Sequence, residues 1–180
     1  VAWNPDSHGF YYSRYPVRED GHGGDDSRQV SIWHHPLGTP QESDQFVYAV
    51  TNHTTRNPYA AVSDDGRHLV IHVADGYTQS GVLLLDLSDP DADAVPLLAD
   101  YDARYDYLGN DGDTYYFLTT QGAPNGRIIA VDRRHSQPSA WRTVVAETPE
   151  AIDGVQFSGG RFLIRYLKDA HSVVRVADTD

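Results

Sequence analysis

Apolar and polar positions alternate along this chain in short bursts, and three stretches share one design. They are 66–87 (GRHLVIHVADGYTQSGVLLLDL), 112–132 (GDTYYFLTTQGAPNGRIIAVD) and 160–178 (GRFLIRYLKDAHSVVRVAD). Each runs from a glycine into an apolar run of strand length, through a polar turn, into a second apolar run that ends near an aspartate. The leading glycines lie 46 and 48 residues apart, and His8, Gly9 and Phe10 begin a looser fourth copy. A unit of that period is the mark of a β-propeller blade, a four-stranded sheet that cannot bury its faces alone. Helical signals are nearly absent, because Gly or Pro interrupts before apolar positions can recur at i, i+3, i+4 and i+7.

Strand signals fill every unit. The first unit predicts strands at 10–14 and 30–34, divided by a polar, glycine-rich loop at 18–28, with an outer strand at 43–50. The second predicts 59–63, 68–74, 82–87 and 94–98, and the third 105–109, 114–120, 127–132 and 141–146. The fourth predicts 154–158, 161–167 and 173–177. The blades then span 3–51, 57–99, 103–147 and 152–180, the last of them incomplete. The expected fold class is all-β, a partial β-propeller of about four blades.

Val82, Leu83, Leu84 and Leu85 form an unbroken apolar run, and 69–73 and 162–164 come close to one. A strand apolar on both faces must be covered on both faces, and a propeller supplies both covers by placing each sheet between its neighbours. The alternative, a two-layer sandwich, predicts clean alternation with one wet face. The segments 63–67 (SDDGR) and 110–113 (NDGD) fit tight turns between a blade's innermost strand and the next, where Asp-Gly tolerates positive φ. Their recurrence points to a structural role.

Composition narrows the partners. The net charge is −12, with 26 acidic against 14 basic residues, which argues against a nucleic-acid surface. There is no cysteine, so no disulfide framework, thiolate metal site or cysteine nucleophile is expected. No window approaches 18 consecutive apolar residues, and no membrane partner is expected. The start lacks the basic-then-apolar order of a signal peptide. The missing cysteines permit a cytoplasmic location and do not forbid secretion or a periplasmic one. With no methionine even at position 1, the sequence is read as a piece of something longer.

Candidate chemistry is sparse. The chain has no G-x-S-x-G elbow. Its nearest approach, Phe157, Ser158, Gly159 and Gly160, lacks the leading glycine and sits in a strand-to-strand turn. A phosphate loop and an H-E-x-x-H pair are both missing. His34 and His35 are adjacent, so in a strand they point to opposite faces. His68 and His72 share a face but stand roughly 13 Å apart along an extended chain. No metal site and no cofactor are expected, and no residue is assigned a catalytic role. Asn52, His53 and Thr54 form a glycosylation triplet in form alone.

Several phrases, read in order, resemble one family. They begin with Trp3, Asn4, Pro5 and Asp6, then 9–16 (GFYYSRYP) and 35–41 (HPLGTPQ). SDDGR at 63–67 follows, then GNDG at 109–112, APNGR at 123–127 and YLKDA at 166–170. SDDGR alone is common among propellers, whereas H-x-L-G-T-x-Q with G-F-Y-Y-S-R-Y-P upstream is far more specific. By these residues the chain resembles the prolyl oligopeptidases, serine peptidases that cut short peptides after proline.

That resemblance implies a fragment of a seven-bladed propeller inserted in an α/β-hydrolase domain that carries the Ser, Asp and His triad. On this reading the chain is the middle section of the propeller and holds no triad member. It is the non-catalytic part of a proline-specific endopeptidase, and it restricts the catalytic cleft to short peptides. The implied partners are the α/β-hydrolase catalytic domain of the same parent chain and short proline-containing peptides. Position within the family implies that Asn57 and Tyr77 face the substrate. The open faces at the two ends of an arc further predict that two copies associate as a homodimer. The competing readings are a free-standing propeller-type module that binds proteins or peptides, and a proteolysed fragment with no activity of its own.

Overall fold

The computed structural model describes residues 1–16, 29–53 and 55–180. The polar loop expected at 18–28, and Thr54 of the glycosylation triplet, lie outside the described residues. The chain divides into two compact units, Val1–Tyr101 and Asp102–Asp180. In the first unit, β1 (Ala2–Trp3), β2 (Gly9–Arg14), β3 (Ser31–Pro36) and β4 (Gln45–Ala49) make one sheet. A second sheet there holds β5 (Arg56–Val62), β6 (His68–Asp75), β7 (Gln79–Asp86) and β8 (Val95–Leu98). The second unit contains β9 (Tyr105–Asp111), β10 (Thr114–Thr119), β11 (Arg127–Asp132) and β12 (Arg142–Val145). Its other sheet has three strands, β13 (Ala151–Ser158), β14 (Arg161–Lys168) and β15 (His171–Asp178).

Every sheet is a meander in which each strand lies antiparallel beside its neighbour in sequence. That is the blade pattern, not the Greek key of a sandwich. The strand β5 begins at Arg56 rather than at 59, and β7 at Gln79 rather than at 82. In both cases the ladder continues through Arg56↔Asp75 and Asp75↔Gln79 into polar residues that carry no apolar signal. The two-residue β1 is too short to show any period.

Alternation decides which side chains fill each core. In the first unit Leu69, Ile71 and Val73 of β6 pack with Ile32 and Val50, against Tyr11, Tyr48, Ala60 and Val62. Ser13 Oγ ties the two sheets by donating to the Pro58 carbonyl at 2.8 Å. The intervening residues do not face water. Val70 and Val82 are 0% exposed and Leu84 is 7% exposed, so this strand pair is covered on both faces as its apolar run requires.

The second unit repeats the logic with aromatic residues. Phe162, Ile164 and Tyr166 of β14 interleave with Tyr116, Leu118 and Ile128. Tyr115, Phe117, Ile129 and Val131, on the other face of β10 and β11, are also fully buried. One expectation fails here. The run at 162–164 is not covered on both faces, because Leu163 is 43% exposed and its cross-strand partner Val176 is 62% exposed. The strand β14 alternates strictly, with Phe162 inward and Leu163 on an open face. The strand β15 forms an edge of this sheet.

The SDDGR segment makes the β5–β6 turn. Ser63 Oγ donates to Asp65 Oδ1 at 2.6 Å and accepts the His68 amide at 2.9 Å. Asp65 Oδ1 also accepts the Arg67 amide at 3.1 Å. Gly66 has φ +71, and a Cβ there would lie 2.6 Å from Pro5 Cγ. Gly66→Ala should therefore cost about 1–2 kcal/mol, from left-handed backbone together with the clash. Urea unfolding would show it as a lower midpoint with an unchanged slope.

Candidate functional site

The backbone brings Asn57 and Tyr77 to the same end of the second sheet. Asn57 lies in β5 opposite Ala74, one step in from the Arg56↔Asp75 pair. Tyr77 occupies the connection between β6 and β7, just beyond the Asp75↔Gln79 pair. Its ring is 100% exposed and packs on nothing, while Asn57 is half-buried. The β4–β5 connection reaches the sheet at this same end, and the SDDGR turn lies at the other.

A cluster not foreseen from the sequence sits beneath this rim. Arg56 Nε donates to Asp75 Oδ2 at 2.9 Å, and Thr55 Oγ1 donates to Asp75 Oδ1 at 3.3 Å. The Arg56 guanidinium lies 3.5 Å from the centre of the Tyr101 ring. Hydrogen bonding by Arg56 holds the Asp75 carboxyl below its ordinary range, and the charge of Arg56 adds to the effect. Burial raises the phenols of Tyr101 and Tyr48, partly offset by the same guanidinium. The signal in the sequence was opposite charge at positions that become cross-strand partners, legible only once the register is known.

A second network lies on the first sheet. The Asp44 side chain is fully buried and accepts hydrogen bonds from the Tyr12 hydroxyl and, at 2.7 Å, from His35 Nδ1. Arg14 Nη1 reaches the carboxylate at 3.4 Å and Tyr12 Oη at 2.9 Å, while its guanidinium stacks 3.9 Å from the Trp33 ring. Burial pushes the Asp44 carboxyl up, but Tyr12, His35 and Arg14 together outweigh it and hold the group below the ordinary carboxylate value. Phe10, Tyr12, His35, Gln41 and Asp44 line a shallow cleft of about 210 Å³ here.

His34 and His35 do point to opposite faces. His34 stacks on Tyr11 and meets Asn4 Nδ2 at 3.0 Å, whereas His35 stacks on Phe10 and meets Asp44. Burial lowers the His34 pKa and favours the neutral ring. Among the described residues no group of three His, Cys, Asp or Glu is arranged to hold a metal. Ser158 ends β13 in a turn whose Gly159 and Gly160 both have positive φ (+58 and +74). It joins two strands and forms no strand-to-helix elbow.

Comparison with known proteins extends this picture to the whole chain. Residues 1–180 match the family model described as prolyl oligopeptidase, N-terminal beta-propeller domain. The prolyl endopeptidase of Elizabethkingia meningoseptica is 31% identical over 181 residues, covering 99% of this chain and 25% of that protein. A prolyl endopeptidase of known structure superposes with a TM-score of 0.85 at 31% identity, over 98% of this chain and 26% of that one. Prolyl oligopeptidase B from Galerina marginata, bound to a 25mer macrocyclization substrate, gives a TM-score of 0.86 at 26% identity, over 99% and 26%. The chain thus spans about a quarter of the length of the relatives it matches.

Proposed function

Since this chain belongs to the prolyl oligopeptidase N-terminal β-propeller family, we propose that it is the non-catalytic propeller part of a proline-specific serine endopeptidase and restricts the catalytic cleft to short peptides. The match of all 180 residues to a propeller domain carries this reading. It is supported by the lack of a G-x-S-x-G elbow in the sequence, since the chemistry then belongs to an α/β-hydrolase partner in the same parent chain. The physical basis of the screen is stiffness. Meander sheets with cores as dry as those around Leu69 and Phe162 do not part to admit a folded protein, while a short flexible peptide can pass.

In this reading Asn57 and Tyr77 face the space shared with the catalytic domain. The carboxamide of Asn57 can both donate to and accept from a peptide backbone, and the exposed Tyr77 ring offers a flat apolar wall. Short proline-containing peptides are the substrates, and no cofactor takes part. Self-association through open sheet faces has no support from these relatives and forms no part of the proposed function.

Two measurements test the reading. The pure 180-residue chain should not turn over a proline-anilide peptide, and any stoichiometric turnover would overturn it. In the full-length protein, Tyr77→Ala should raise KM for a proline peptide of six or more residues about fivefold, the loss of roughly 1 kcal/mol of contact. An unchanged KM would remove Tyr77 from the substrate face.

A further inference from the structure

We propose that Arg56 is a positioning residue for the rim of the second sheet. Clamped between Asp75 and the Tyr101 ring, it fixes the β6–β7 hairpin so that Tyr77 is presented in one place. The functional half of this inference rests on the reading of Tyr77 given above, whereas the structural half stands by itself.

The hairpin tip has nothing of its own to hold it. Tyr77 is fully exposed and Gly76 has φ +67, so the tip can be ordered only from its base. At that base, beside the backbone ladder that pairs Asp75 with Gln79, the side-chain contacts centre on Arg56 and Asp75. Arg56 Nε binds Asp75, the last residue of β6, and Thr55 takes the other carboxylate oxygen. The flat face of the same guanidinium lies on Tyr101. Its side chain is only 18% exposed, so this is a packed stack and not a surface ion pair.

Tyr101 in turn is held in a costly conformation. Its φ is +52, a region that bulky residues rarely enter, and such strain persists only where the surroundings enforce it. Gly81 makes room for it: a Cβ at that position would lie 2.6 Å from Tyr101 Cζ and 2.8 Å from its hydroxyl. Gly81 belongs to β7, the other arm of the same hairpin. The ring therefore rests on one arm while the guanidinium stacked upon it grips the other. Tyr48 and His53 are the remaining titratable groups felt at this cluster.

The clamp needs a planar, forked cation. Arg56→Lys keeps the charge yet loses both the stack and the directed Nε bond, and Arg56→Met keeps the stem alone. Hydrogen exchange followed by mass spectrometry on the full-length protein should show protection at 72–81 falling about tenfold in Arg56→Met and only partly recovered in Arg56→Lys. Gly81→Ala, which attacks the cluster from its other side, should loosen the same segment. Tyr77→Ala should leave exchange at 72–81 unchanged.

Steady-state kinetics supply a readout that a merely structural role would not move. Arg56→Met should raise KM for proline peptides of six or more residues, in parallel with Tyr77→Ala, while kcat on a minimal proline-anilide stays the same. Exchange at 72–81 within twofold of the parent protein in both Arg56→Met and Gly81→Ala would overturn the clamp. Loosened exchange with an unmoved KM, in a protein where Tyr77→Ala does raise KM, would overturn the positioning role. If Tyr77→Ala itself leaves KM unmoved, the reading of Tyr77 fails and the positioning role fails with it, while the exchange result still decides the clamp.

Discussion

Replacing Phe162 with alanine should lower the thermal midpoint of the transition that includes the second unit by about 8–16 °C, the equivalent of roughly 4 kcal/mol. The side chain is 0% exposed and sits where three rings meet. Tyr116 stands edge-on to it at 5.3 Å, and Phe157 lies 4.9 Å away. Truncation removes the ring's own transfer energy and leaves a void that Tyr116 and Phe157, fixed to different strands, cannot collapse to fill. Phe162→Leu restores most of the volume and should recover over half of the loss. Thermal unfolding followed by circular dichroism would check both. A drop of under 3 °C in Phe162→Ala would mean that this cluster is not the core of the unit.

Asp44→Asn should destabilise the first unit by about 2 kcal/mol and also change the shape of its acid limb. The amide keeps the size of the carboxylate but gives up the charge that His35 and Arg14 face. Those two partners are partly exposed, at 19% and 23% of the side chain, so they can rehydrate and the loss stays at the lower end for a buried pair. Because the folded carboxyl binds its proton less readily than the ordinary value of 3.8, its stabilisation is complete above that value. It is lost as pH falls from there through the lower folded value. The parent chain should consequently lose stability steeply below about pH 4, and the variant should lose less over the same interval. Urea midpoints measured from pH 3 to pH 7 would show the two curves converging toward acid. Parallel curves would mean that Asp44 is not the group that titrates.

Much of the fold could be read from the chain because the apolar runs are long and their glycine punctuation is regular. The strands β10 and β11 match expectation closely, since two apolar runs and the turn residues between them agree at 114–132. The strand β14 shows the limit. Leu163 extends an apolar run between Phe162 and Ile164, and only the neighbouring strands reveal that it takes the opposite face. The starts of β5 and β7 were hidden for a related reason, since Arg56, Asn57 and Gln79 join the ladder through backbone groups common to every residue.

Site residues were harder to read. Asn57 and Tyr77 came from likeness to a family, and nothing in their own chemistry marks them. The Asp44 network joins positions 12 and 14 of β2, 35 of β3 and 44 in the turn before β4, a spacing that no local period generates. Arg56 and Tyr101 meet only because the chain returns after a whole four-stranded sheet and turns through an unusual dihedral at the tyrosine.

The edge position of β15 bears on how the isolated chain behaves at high concentration. Its outer row of amides and carbonyls is a template for any extended segment, and Val173, Val174 and Val176 give it the composition that fibrils favour. Arg175, which stacks on Tyr166 and faces Glu150, interrupts the valines, and Asp178, paired with Arg161, closes the strand. Charges along that strand lose reach as salt is added, so association of the isolated chain should rise with ionic strength.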